Sequence, residues 1–151
     1  MEYKERVKEM KNAICTGVGV VGSVVASLFG GWTAALTTLL IFMGVDYVTG
    51  LIVAGVFHAS PKTDTGTLES RAGLKGLFRK AMILVFVLIG YRLDVAIGTT
   101  YIRDAICIAF MANELISIVE NAGLMGLPIP AVITNAIDVL KKKSEPEETE
   151  E

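Results

Sequence analysis

The stretch Ala34–Phe57 most limits what this chain can become, because its 24 residues carry one formal charge, Asp46, and that charge falls at the middle. A helix of that length crosses the hydrocarbon core of a bilayer, about 30 Å thick. An ionised carboxylate at the bilayer centre costs roughly 2.5–3.5 kcal/mol or more, so Asp46 is expected to face protein or water, or to be protonated.

Other stretches share this character. Ile14–Phe29 is continuously apolar, and Gly30–Trp32 extends it to just enough for a crossing. Small residues recur there at four-residue steps in two registers, Gly19/Ser23/Ser27 and Gly22/Ala26/Gly30, which lets another helix approach closely. Gly30–Thr33 leaves room only for a tight turn, so residues 14–57 are read as an antiparallel hairpin behind a charged segment 1–13. No Ala-x-Ala-like cleavage signal follows the first run, which is therefore expected to stay in place. Ala81–Gly98 forms a third span, interrupted by Arg92 and Asp94, and Gly98–Thr100 turns it into Tyr101–Asn121. Taken as a helix, that last stretch gathers Arg103, Cys107, Asn113, Glu114, Ser117, Glu120 and Asn121 on one side. Residues 81–121 thus make a second hairpin.

Composition supports a membrane setting. Hydrophobic residues make up 52% of the chain and lie in runs, while the formal net charge is only −2. The signs are segregated, with acids crowded into the tail 144–151, expected to be disordered. No general basic patch invites nucleic acid. Cys15 and Cys107 lack a Cys-x-x-Cys or His partner, so they read as small hydrophobes and neither a metal nor a cofactor is expected.

The long polar connection, residues 58–80, contains Ser70 as a candidate N-cap, then Arg71, Lys75 and Arg79 on one helical face and Leu74, Leu77 and Phe78 on another. It reads as an amphipathic interfacial helix suited to anionic lipid. His58 reads as an interfacial residue rather than a ligand or base. After Asn121, Gly123, Gly126, Pro128 and Pro130 stop the helix, and a short amphipathic segment with Ile133, Ala136, Ile137 and Leu140 on one face completes residues 122–143.

The fold class expected is an all-α integral membrane protein of about four transmembrane helices in two hairpins, three spans being possible, with short interfacial helices. Twelve of the fourteen bases lie on one side of a four-span arrangement, which puts both termini in the cytoplasm. Depth along the spans then suggests two ion pairs, Asp46 with Arg92 and Asp94 with Arg103. Glu114 is left without a cation at its level, so its stripe (Asn113, Glu114, Ser117, Glu120, Asn121) is expected to face a subunit interface or a lumen.

The order and spacing of Asp46–Gly50, Glu69–Lys80 leading into an apolar span, Asn113–Asn121 and Gly126–Pro130 resemble the bacteriophage holins grouped with clostridial toxin-secretion holins. The resemblance implies a small multi-pass protein of the bacterial host's cytoplasmic membrane that assembles with copies of itself. It would open timed lesions through which an endolysin, or in some relatives a toxin, leaves. It implies no catalytic residues, and no Gly-x-Ser-x-Gly, Walker or His-Glu-x-x-His pattern occurs, so no enzyme is expected. A small ion channel or transporter subunit, or a membrane scaffold that permeabilises nothing, would share the polar-striped helix. Met10 reads as an ordinary methionine, or as a second start that drops Lys4, Arg6 and Lys8.

Overall fold

A computed structural model describes residues 2–135 and 138. It is all-helical among the described residues: α1 (Glu2–Leu28), α2 (Ala34–Ile52), α3 (Ser70–Ile97) and α4 (Ile102–Leu124), with a π-helical turn Val53–Phe57 prolonging α2. Two stretches, Tyr3–Leu28 and Ala34–Phe57, are long and apolar enough to cross a membrane.

Each boundary has a local cause. Thr33 caps α2, its hydroxyl accepting from the Leu36 N–H at 3.2 Å. His58 takes a left-handed conformation (φ 51°) that ends the π turn, so it is a chain-reversing residue in the structure. The connection to α3 then folds on itself, the Ser60 N–H donating to the Gly66 carbonyl at 3.0 Å and the Thr63 hydroxyl to the Thr67 carbonyl at 3.0 Å.

α3 runs unbroken for 28 residues, so the basic stretch after Ser70 is the first part of the same helix as the apolar residues 81–97, not a separate interfacial helix. Gly73 and Gly76 lie against Tyr47 of α2, which seats this extension on its neighbour.

The centre is a trio of α2, α3 and α4, in which α4 packs along both others while α2 and α3 touch much less. Its apolar core joins Leu36, Leu39 and Met43 of α2, Ile83 and Val87 of α3, and Cys107 of α4. The buried positions of α4, Cys107, Glu114 and Asn121, repeat every seven residues, which keeps one seam facing its neighbours. At the apolar end, α3 and α4 approach so closely at Gly90 that a Cβ there would lie 3.2 Å from the Arg103 Cα. α1 stands largely outside the trio. Among its described residues the one buried apolar side chain is Ala26, and nothing lies within 4 Å of a Cβ built at Gly19 or Gly22. Cys15, on that helix, is exposed, while Cys107 is fully buried.

Ile133 is exposed in the described helical residues 131–135. Ala136, Ile137, Leu140, Lys141–Lys143 and the acidic tail lie outside the described residues.

Candidate functional site

Towards the end of the trio that carries the 58–69 connection, the core changes from apolar to ionic. Asp46 continues the buried face of α2 beyond Leu39 and Met43, and Glu114 and Asn121 continue that of α4 beyond Cys107. Lys80 lies three residues before Ile83 and seven before Val87, hence on the buried face of α3. Its Nζ donates to Asp46 Oδ2 at 2.8 Å and to Glu114 Oε2 at 2.5 Å. The three side chains are 11%, 10% and 5% exposed, so this double ion pair is removed from bulk solvent.

Asn121 closes the layer. Its Nδ2 donates to Thr49 Oγ1 at 2.9 Å and to Asp46 Oδ1 at 3.2 Å, tying α4 to α2 one turn further along. Among the described residues no buried side-chain nitrogen or oxygen is left without a hydrogen-bond partner. Two carboxylates nevertheless share one ammonium, so the layer carries a surplus negative charge when both are ionised. A crevice of about 530 Å³ opens from this layer between α2, α3, α4 and the connection, and Lys62, Lys75 and Arg79 stand along it. Such an arrangement offers solvent and counter-ions a route to charges otherwise enclosed by helices.

The pairings expected from depth alone are replaced. Asp46 takes Lys80 instead of Arg92, which is exposed. Arg92 lies two residues from buried Asp94, about 200° round the helix, so equal depth cannot bring it inward. Asp94 and Arg103 do meet, but through the backbone. Asp94 accepts from the Ile102 and Arg103 N–H groups at 3.0 and 2.9 Å and from the Thr99 hydroxyl at 2.6 Å, capping the start of α4.

The Arg103 guanidinium goes elsewhere. Its Nε donates to Asp104 Oδ1 at 3.0 Å and its Nη1 to the Phe29 carbonyl at 2.9 Å, with the Tyr91 ring 6.0 Å away. The α1–α2 and α3–α4 turns are thereby fastened side by side. Gly30 fits this junction because it adopts φ +76° and a Cβ would collide with the Tyr91 ring.

Glu114 is therefore not the leftover acid that its sequence position suggests. Glu114 and Asn121 are buried and Ser117 half-buried inside the protomer, Asn113 lies at the crevice edge and Glu120 is exposed. Of the three bases expected to meet lipid, Lys75 and Arg79 line the crevice, and all three are exposed. In sequence Lys80 reads as the end of the polar 58–80 connection rather than as part of a core. The signal lay in Lys80, Ile83, Val87, Gly90 and Asp94, which share one helical face.

The family model described as the bacteriophage holin family matches residues 23–142. The chain belongs to the bacteriophage holin family. This holin is 30% identical over 121 residues to a protein named probable holin in Bacillus phage phi105, a match covering 80% of this chain and 83% of the phage protein. It is 41% identical over 128 residues to an uncharacterized protein of Halalkalibacterium halodurans, covering 81% and 89% of the two chains. An uncharacterized 14.9 kDa protein of Clostridium perfringens is 35% identical over 134 residues, covering 87% and 96%. No solved structure matches the chain. Membership makes this a membrane protein of a permeabilising, non-enzymatic family.

Proposed function

We propose that this holin assembles with copies of itself in the bacterial cytoplasmic membrane and opens timed lesions that release an endolysin or, in a secretory setting, a toxin. The observation that carries this reading is the ionic layer Asp46–Lys80–Glu114 enclosed by helices whose outer faces are apolar. In the protomer the layer is enclosed inside the trio with each side chain hydrogen-bonded, so the outer faces of these helices are mostly apolar. In an assembly, parting of α4 from α2 and α3 exposes the same layer to water, where charges cost far less than in hydrocarbon. One set of residues thus suits a closed protomer and a wet lumen.

A four-span arrangement with both termini in the cytoplasm goes with this reading. It is supported by the two helix turns held together through Arg103 and Phe29 and by the bases gathered towards the opposite end. Neighbouring copies, anionic lipid and, in function, an endolysin are the partners this implies.

Expression in a bacterium with and without a cytosolic endolysin tests it. Lysis that requires both proteins, with passage of a folded reporter, is expected. Passage of ions alone points to a small channel or transporter subunit, and passage of neither to a scaffold.

A further inference from the structure

The ionic crevice does not end at its own walls. A second, largely apolar groove of about 410 Å³ runs along α3 and α4, and Arg79, Ile83 and Asn113 line both spaces. The groove is bounded by Phe78, Met82 and Phe86, one turn apart on α3, and by Phe110 of α4, whose ring centre lies 5.9 Å from that of Phe86. Phe78, Met82 and Phe86 are 64%, 52% and 49% exposed, and their rise along α3 is about 12 Å. A polar chamber and an apolar track thus adjoin, sharing Arg79, Ile83 and Asn113 as a common wall.

The charges favour one kind of occupant. Four bases and three acids line the chamber, but Lys80 is already held by Asp46 and Glu114. Lys62, Lys75 and Arg79 remain on the wall with Glu69, which accepts from the Thr65 hydroxyl at 3.3 Å, and Lys62 is also within electrostatic reach of Asp46, so among the described residues the chamber keeps one more base than acids. Lys62 is carried by a connection held in shape by the Ser60–Gly66 hydrogen bond, so its position is set by the fold. Arg79 marks the start of the apolar part of α3, the depth at which lipid headgroups lie if this helix spans the bilayer.

We propose that crevice and groove together form one binding site for an anionic glycerophospholipid, with the phosphate among Lys62, Lys75 and Arg79 and an acyl chain along Phe78, Met82, Phe86 and Phe110. The site requires only that the protein be embedded in a membrane, so it is independent of whether lesions form. A headgroup there covers the mouth of the ionic layer and offsets the surplus positive charge around it, and the chain fills a gap between α3 and α4. The lipid serves as a wedge that belongs to the closed protomer.

The test uses the full chain in phosphatidylcholine vesicles with Trp32→Phe and a single reporter, Phe86→Trp, or Phe78→Trp as a second reporter should the first fail to insert. Quenching by brominated phosphatidylglycerol is compared with quenching by brominated phosphatidylcholine. A preference of about fivefold for the anionic lipid is expected at the groove reporter, the scale one well-placed base supplies. It should weaken in Arg79→Gln, vanish in the triple change Lys62→Gln, Lys75→Gln, Arg79→Gln, and be absent for Ile41→Trp, an exposed control on α2. Equal quenching by both lipids, or a preference that survives the triple change or appears at Ile41→Trp, overturns the site. Loss of the preference on adding inorganic phosphate at constant ionic strength also overturns it, because the chamber then holds a free anion.

Discussion

Lys80 and Glu114 stand 34 positions apart in the chain, yet the ammonium of one lies 2.5 Å from the carboxylate of the other. The contact fixes the relative height of α3 and α4, because a one-turn slip would carry Lys80 about 5.4 Å along its axis. Since the same ammonium also binds Asp46, one side chain sets the register of all three central helices.

Removing that cation should be severe. Lys80→Met leaves two enclosed carboxylates with no counter-charge between them, and breaking a buried pair from one side costs about 3–5 kcal/mol. A clear drop in melting temperature of the detergent-solubilised protein is expected. The triple change Lys80→Met, Asp46→Asn, Glu114→Gln should recover much of it, since it leaves no unpaired charge. Wild-type melting of Lys80→Met alone would mean that the ion pairs do not hold the trio together.

Glu114→Gln reports on opening. The amide retains a hydrogen-bond acceptor for Lys80 but gives up the ionic attraction, so the closed layer is weakened without a large change in volume. Lysis onset is expected to shift, at matched protein levels, by more than accumulation does. Cysteines placed separately at Asn113 and Ser117, in a background lacking Cys15 and Cys107, add a spatial readout. Asn113 is exposed and should crosslink between copies early, whereas half-buried Ser117 should do so only after the membrane fails. Unchanged onset together with no crosslinks at either position would confine the stripe to the protomer.

Topology can be checked with single cysteines at Thr63 and Thr99 in the same background. Thr63 lies in the connection before α3 and Thr99 in the turn after it, with the 28 residues of that helix between them. An impermeant reagent should reach them from opposite sides. Labelling from one side only would eliminate the four-span arrangement.

Gly30→Ala should loosen the junction of the two turns. The substitution demands both a positive φ and space occupied by the Tyr91 ring, at a cost of about 1–3 kcal/mol. Adding Tyr91→Ala relieves the collision but not the backbone strain, so partial rescue in a thermal melt is expected. Full-strength melting of Gly30→Ala would show that the turn has another conformation open to it.

The helices were legible in the sequence because apolar runs and Gly–Thr turns mark them directly, and α2 and α4 fall close to where those signals end. The ionic partners were not, and the reason is angular. Depth along a helix is one coordinate, whereas pairing also needs the right face, which excluded Arg92 and selected Lys80. Asp94 shows a second limit. Its value as an acceptor for backbone N–H groups depends on the tightness of the Gly98–Tyr101 turn, and charge matching cannot reveal it. The continuity of α3 was hidden because the basic face of residues 70–80 has the same periodicity in an interfacial helix and in a spanning one.

The position of α1 outside the central trio separates two properties that usually change together. With open space around Gly19 and Gly22, side chains added there meet nothing in their own protomer. The ionic register of α2, α3 and α4 is set without them. Variation around Gly19 and Gly22 is therefore free to change what α1 meets outside the protomer while the trio's own packing stays constant. Under the proposed assembly, that stretch would let contacts between copies vary nearly uncoupled from stability.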